Sequence, residues 1–258
     1  MALPFPVIAA AASDRPAAPT SMPSLLNVTT HSFSDGQAQA LALAERAAAQ
    51  LRASLAARGE AALAVSGGST PKLFFAALAQ QQLDWSRVHV TLVDERWVPD
   101  TDPRSNARLV KSLLLQGDAA AATFVPLYTG DASPEAGLAI ARARIDALPR
   151  PFDVVVLGMG DDGHTASFFP GGDHLAEALD LDGTASAWPM HAPGAGEPRI
   201  TLSLPALLQT RALYLLVCGD GKRDLLADAR LGLDEARHYP VRAVLTQTRV
   251  PVAVYWCP

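Results

Sequence analysis

The sequence predicts an α/β protein: a mainly parallel sheet flanked by helices on both faces, a Rossmann-like three-layer sandwich. Three observations carry this expectation. Apolar runs at 61–65, 88–93, 152–157 and 213–217 have strand length and read as strands covered on both sides. Amphipathic or Ala-rich stretches of helical length separate them, which is the alternation of βαβ units. Each run also ends in a polar or Gly-rich segment, and open α/β sheets bind ligands beyond the carboxyl ends of their strands.

Taken in order, residues 27–33 alternate as a strand, and Ser34-Asp35 caps a helix to about residue 57. Strand 61–65 breaks at Ser66-Gly67-Gly68-Ser69, where Thr70 is expected as N-cap and Pro71 at the first helical position. Strand 88–93 ends in Asp94-Glu95-Arg96-Trp97-Val98-Pro99 and a polar loop to Asn106, followed by a helix to about 115. A helix over 135–148 is stopped by Pro149 and Pro151, and strand 152–157 runs straight into Gly158-Met159-Gly160-Asp161-Asp162-Gly163-His164. Residues 171–196, interrupted by Pro and Gly, predict a lid or excursion. Strand 213–217 leads through Gly219-Asp220-Gly221-Lys222 to a helix ending near 230, and 252–255 is expected to close the sheet. With no repeat and no linker, residues 24–258 read as one domain.

At 258 residues, 49% hydrophobic and 18% charged, the chain has the composition of a globular protein with a substantial core. A net charge of −5 and a pI of about 5.6 argue against nucleic acid and acidic membranes as partners. Small anions remain compatible, because local arginines and backbone N–H groups can bind them. Residues 1–23 are apolar, then rich in Pro, Ala and Ser, without the basic start of a secretory signal; they predict a disordered extension, and Met22 is an alternative start. No later segment is a candidate membrane span. Cys218 and Cys257 have no metal or disulfide spacing, which fits a reducing compartment.

The polar segments carry the chemistry. Ser66-Gly67-Gly68-Ser69-Thr70 offers close backbone approach, hydroxyls and a helix N-terminus, which suit a phosphate monoester. Alone it is equally well an ordinary strand–helix turn, and it lacks the spacing of a nucleotide P-loop. Gly158-Met159-Gly160 lacks the third glycine of a dinucleotide fingerprint. What remains is His164 beside carboxylates on a tight turn, and imidazole is the side chain that changes charge near neutral pH. Asp162 could instead cap a helix starting near Thr165. Asp94-Glu95-Arg96 stands at a strand end, so pocket positions outweigh a solvated charge cluster. Arg199, which opens the strand Arg199-Ile200-Thr201-Leu202, and Lys222 are candidate phosphate contacts. The histidines His31, His89, His174, His191 and His238 have no ligand spacing, so no metal is expected. No Gly-x-Ser-x-Gly elbow of a serine hydrolase is present.

Together these segments, with Ser105-Asn106, Thr165-Ala166-Ser167 and Gly221-Lys222, resemble the 6-phosphogluconolactonase family, sister to the glucosamine-6-phosphate isomerase/deaminase family. The resemblance spans residues from about 27 to the C-terminus. It implies cytosolic hydrolysis of a phosphorylated sugar lactone, 6-phospho-D-glucono-1,5-lactone, in the pentose phosphate pathway, without a cofactor. The implied catalytic set is His164, Asp162 and Arg96. The implied substrate contacts are Ser66, Gly67, Gly68, Ser69, Thr70, Asp94, Asn106, Gly160, Arg199 and Lys222. Oligomeric state stays open between a monomer and a small homo-oligomer.

The residues suggest how a cyclic ester would be opened. His164 takes a proton from water, Asp162 orients the imidazole, and Arg96 or a backbone N–H of the 158–163 turn meets the oxyanion. An isomerase/deaminase needs a further carboxylate, which the related deaminases carry shortly after this histidine. Thr165-Ala166-Ser167-Phe168-Phe169-Pro170 contains none, which favours the lactonase. A sugar-phosphate sensor attached to a DNA-binding domain is disfavoured, since no helix-turn-helix fits before the first strand.

Overall fold

The computed structural model describes residues 27–258; the expected extension at 1–23, with Met22, lies outside the described residues. Strand β1 (Val28–Ser32) leads to α1 (Gly36–Arg58), whose N-cap Asp35 accepts from the Ala38 N–H and whose C-cap Gly59 is left-handed. There follow β2 (Ala61–Val65), α2 (Lys72–Ala79), β3 (Val88–Leu92), β4 (Asp94–Arg96), α3 (Asn106–Leu113), β5 (Thr123–Val125), α4 (Pro134–Asp146) and β6 (Val154–Leu157). The remainder comprises α5 (Leu175–Leu179), β7 (Ala187–Met190), β8 (Arg199–Leu202), α6 (Leu204–Leu208), β9 (Leu213–Cys218), α7 (Asp220–Leu231), α8 (Val241–Thr246) and β10 (Val252–Cys257).

Seven strands form one parallel sheet in the order β1-β10-β9-β6-β2-β3-β5. Every residue of the central strands β2 and β6 is buried, as their unbroken Ala, Leu and Val content requires when both faces are covered. The chain winds outward from β2 through β3 to β5, and from β6 through β9 to β10, which pairs with the N-terminal strand β1. The switch in direction therefore lies between β2 and β6, and it places Ser66 beside Gly158. Strand β10 does not close the sheet as expected. It lies between β1 and β9, pairing Val252 with both Val28 and Leu213, so the largely exposed β1 forms the edge.

A second, three-stranded antiparallel sheet, β4-β8-β7, corrects two expectations. Asp94-Glu95-Arg96 is a strand rather than the start of a loop. The excursion at 171–196 is partly ordered, contributing α5 and β7. Neither strand has a long apolar run, because each gains its partner only across the fold. Two further expectations fail locally. Pro71, not Thr70, occupies the N-cap of α2, without a side-chain bond, and no helix starts near Thr165.

Buried Asp153, just before β6, closes the amino end of the sheet. It accepts from Ser54 Oγ (2.5 Å), Arg58 (2.6 Å) and the Ala62 N–H (2.8 Å), tying α1 to β2 and β6. Among the described residues no helix is long and apolar enough to cross a membrane.

Candidate active site

At the carboxyl ends of the strands a single cleft collects the polar segments. It is lined from β2 by Ser66, Gly67, Gly68, Ser69 and Thr70, from β4 by Asp94 and Arg96, and from α3 by Asn106. Gly158, Gly160 and His164 after β6, Arg199 on β8 and Lys222 on α7 complete it. Of the catalytic and substrate-contact residues that the resemblance implied, only Asp162 stays off the wall, holding His164 from behind. The switch point itself is bridged by the Gly158 N–H donating to Ser66 Oγ (3.0 Å).

His164 is fixed from two sides. Its Nδ1 lies 2.5 Å from Asp162 Oδ1, and the His164 backbone N–H donates to the same oxygen (3.1 Å). Its ring stacks on Phe169 with centroids 4.3 Å apart. Burial pushes the Asp162 carboxyl up, but the two bonds from His164 outweigh it and hold the group below its ordinary value. The imidazole is 31% exposed, so Nε2 has room to meet a water.

The turn is built for this ring. A Cβ at Gly160 would collide with the His164 imidazole and with Asp162. We expect Gly160→Ala to lower turnover on the order of 10²-fold, the typical result of displacing a reacting group by about 1 Å. Steady-state kinetics beside a thermal melt check this; a large fall in Tm with unaltered kcat would contradict it. The N–H groups of Gly158, Gly160 and Gly163 are all engaged, by Ser66 Oγ, His164 O and Gly160 O respectively. They are not free to meet an oxyanion, which removes three of the backbone donors considered from sequence.

The antiparallel register sets Arg96 directly opposite Arg199. Like charges facing across strands repel. The nearest compensation is Asp94, 3.8 Å from Arg199 Nη1 and itself held by Ser167 Oγ (2.6 Å). Arg96 Nη1 donates to Arg104 O and Arg199 Nη2 to Ala195 O, yet the Nε–H of both arginines is buried without a partner among the described residues. Burial pushes the Arg199 guanidinium down, with Asp94 opposing. Two unpaired donors on facing cations call for an acceptor-rich anion. Lys222 Nζ donates to Met159 O (2.8 Å) and lies 3.5 Å from Asp161, which secures α7 to the histidine turn.

Asn106 passes over Gly67, where any Cβ would strike its amide, and donates to Asp94 O (3.0 Å). Beneath it lies Glu95, which the sequence placed in the pocket with Asp94 and Arg96; the structure corrects this, because Glu95 is not on the cleft wall. Alternation along β4 turns Glu95 away from the cleft, to 0% exposure. It accepts from the N–H groups of Arg96, Asn106 and Ala107 and from Ser105 Oγ. Burial pushes its carboxyl up, and those four donors counter without cancelling. Phe169 was likewise missed; its proximity to the histidine was the only available signal. Among the described residues no group of three or more His, Cys, Asp or Glu side chains is placed to hold a metal ion.

The sequence model of the family described as glucosamine-6-phosphate isomerases/6-phosphogluconolactonase matches residues 34–256. The chain belongs to that family. A 6-phosphogluconolactonase of Rhizobium meliloti is 51% identical over 233 residues, covering 90% of this chain and all of its own. One from Mesorhizobium japonicum is 48% identical, covering 88% and 94%. Among solved structures, a 6-phosphogluconolactonase from Shewanella baltica superposes with a TM-score of 0.86 at 42% identity, covering 91% of this chain and 99% of its own. The family match runs from α1 into β10 and so takes in the whole cleft.

Proposed function

We propose that the protein hydrolyses 6-phospho-D-glucono-1,5-lactone to 6-phospho-D-gluconate, in the cytosol, as the lactonase step of the oxidative pentose phosphate pathway. The observation that carries this reading is His164, locked to Asp162, in the same cleft as two facing arginines with unpaired Nε–H donors. An acid–base group and an anion site are what a phosphorylated ester requires. The names of the relatives support the same substrate.

The chemistry follows from the placement. His164 Nε2 removes a proton from water as the oxygen attacks C1 of the lactone, while Asp162 holds the Nδ1–H and stabilises the imidazolium. Arg96 faces the oxyanion, since the glycine N–H groups of the turn are engaged. On collapse the C1–ring oxygen bond breaks, and the imidazolium returns its proton to the leaving oxygen. The phosphate is held by residues 66–70 with Arg199 and Lys222, and this binding orients the ring. Asp94 and Asn106 shape the floor between the two ends, and Gly160 leaves space for the imidazole.

Comparing the phosphorylated lactone with plain gluconolactone tests the reading. Loss of charge-assisted bonds to the phosphate should lower kcat/KM on the order of 10²–10³-fold. Equal rates would remove the phosphate assignment. Robust ammonia release from glucosamine 6-phosphate would replace hydrolysis by deamination.

A further inference from the structure

The chain contains two cysteines, 39 residues apart. Their spacing carries no disulfide pattern, yet the fold brings them together. Parallel pairing of β9 with β10 sets Cys257 in register with Cys218, and the two sulfurs stand 3.0 Å apart. Adjacent strands are about 4.8 Å apart, inside the Cα window of about 4.4–6.8 Å in which a disulfide forms. Buried Gln39 on α1 holds both strands at this point. Its Nε2 donates to Val217 O and Tyr255 O (both 2.8 Å), and its Oε1 accepts from the Cys218 thiol (3.2 Å). The Gly219 N–H donates to Cys257 O (2.9 Å), closing the strand ends beyond the thiols.

We infer that Cys218 and Cys257 constitute a peroxide-oxidisable dithiol site that closes to an intramolecular disulfide. The two thiols have different parts. Cys218 is half-buried and meets the oxidant, whereas Cys257 is buried. Burial, with Cys218 alongside, pushes the Cys257 thiol up to about 12, so it stays protonated until it reacts. The Cys218 sulfur, having lost its proton, attacks a peroxide oxygen; the O–O bond breaks, Cys218 becomes a sulfenic acid, and one water leaves. The Cys257 sulfur then attacks the Cys218 sulfur; the S–O bond breaks, and the departing hydroxide takes the Cys257 proton as a second water. Two thiols are oxidised, one peroxide is reduced, and the sulfurs close by only about 1 Å to the bonded distance.

The test treats the full-length protein with a small molar excess of hydrogen peroxide under non-reducing conditions. Titratable thiols should fall from two to none and return with a dithiol reductant. The proteolytic map should contain peptides linked through 218 and 257, with the linked pair about 2 Da lighter than its reduced components. Cys257→Ser should stop at a Cys218 sulfenic acid, trapped by dimedone. Cys218→Ser should leave Cys257 reduced under the same dose. Two surviving thiols, a sulfinic acid on Cys218 with Cys257 still free, or linkage only between chains would each overturn the inference.

Discussion

Replacing His164 by alanine should lower turnover of 6-phospho-D-glucono-1,5-lactone by about 10²–10⁴-fold, the usual contribution of a positioned general base. Its effect on Tm should be small. The imidazole is 31% exposed, and its partners are half-exposed Asp162 and the face of Phe169, so truncation empties little of the core and strands no buried donor. Loss should appear in kcat rather than KM, because the phosphate end proposed above is built from other elements: the turn after β2, and β8 and α7. Assays on freshly prepared lactone, corrected for spontaneous hydrolysis, measure it. A folded variant turning over within a few-fold of the parent would reject His164 as the base, whatever the substrate.

The second large effect concerns stability. Glu95→Ala should cost about 4 kcal/mol, because it leaves three backbone N–H groups and a hydroxyl without their acceptor in the interior, at about 1–3 kcal/mol for each orphaned buried group. For a chain of this size that corresponds to a fall in Tm of about 10 °C. All four partners are donors, an arrangement that suits the ionised carboxylate, and three of them belong to residues 105–107 at the start of α3. Negative charge there also complements the helix dipole. Glu95→Gln should recover only part of the loss, since its amide NH₂ would face a backbone N–H. Activity should fall as well, as Asn106 and Arg96 are positioned from the same carboxylate. Thermal melts and urea titrations decide it; a loss below about 1 kcal/mol would show that water or neighbouring side chains replace the carboxylate.

Much of the fold could be read along the chain, for a clear reason. Strands β2, β6 and β9 are near-continuous apolar runs because both of their faces are covered, β3 departs from this only at His89 and Thr91, and α1 carries its own cap at Asp35. The cleft was legible for the same reason. Parallel strands all deliver their following segments to one end of the sheet, so Ser66, Asp94, Gly158 and Lys222 converge once the strands are recognised. The identity of His164 as the group beside a carboxylate needed only local sequence.

What the chain could not disclose are relations between segments far apart in it. Arg96 against Arg199, the burial of Glu95, and the engagement of the Gly158 N–H by Ser66 all depend on pairing across the fold. Strands β4 and β7 are short and polar or Pro-containing, and they exist because β8 supplies their hydrogen bonds. The two cysteines meet for the same kind of reason, 39 residues apart and in register only because β9 and β10 are neighbours. Local physics therefore determined the buried parallel strands, the Asp35 cap of α1 and the turn that sets His164 beside a carboxylate. Long-range pairing and burial decided which charges face each other and which donors remain free.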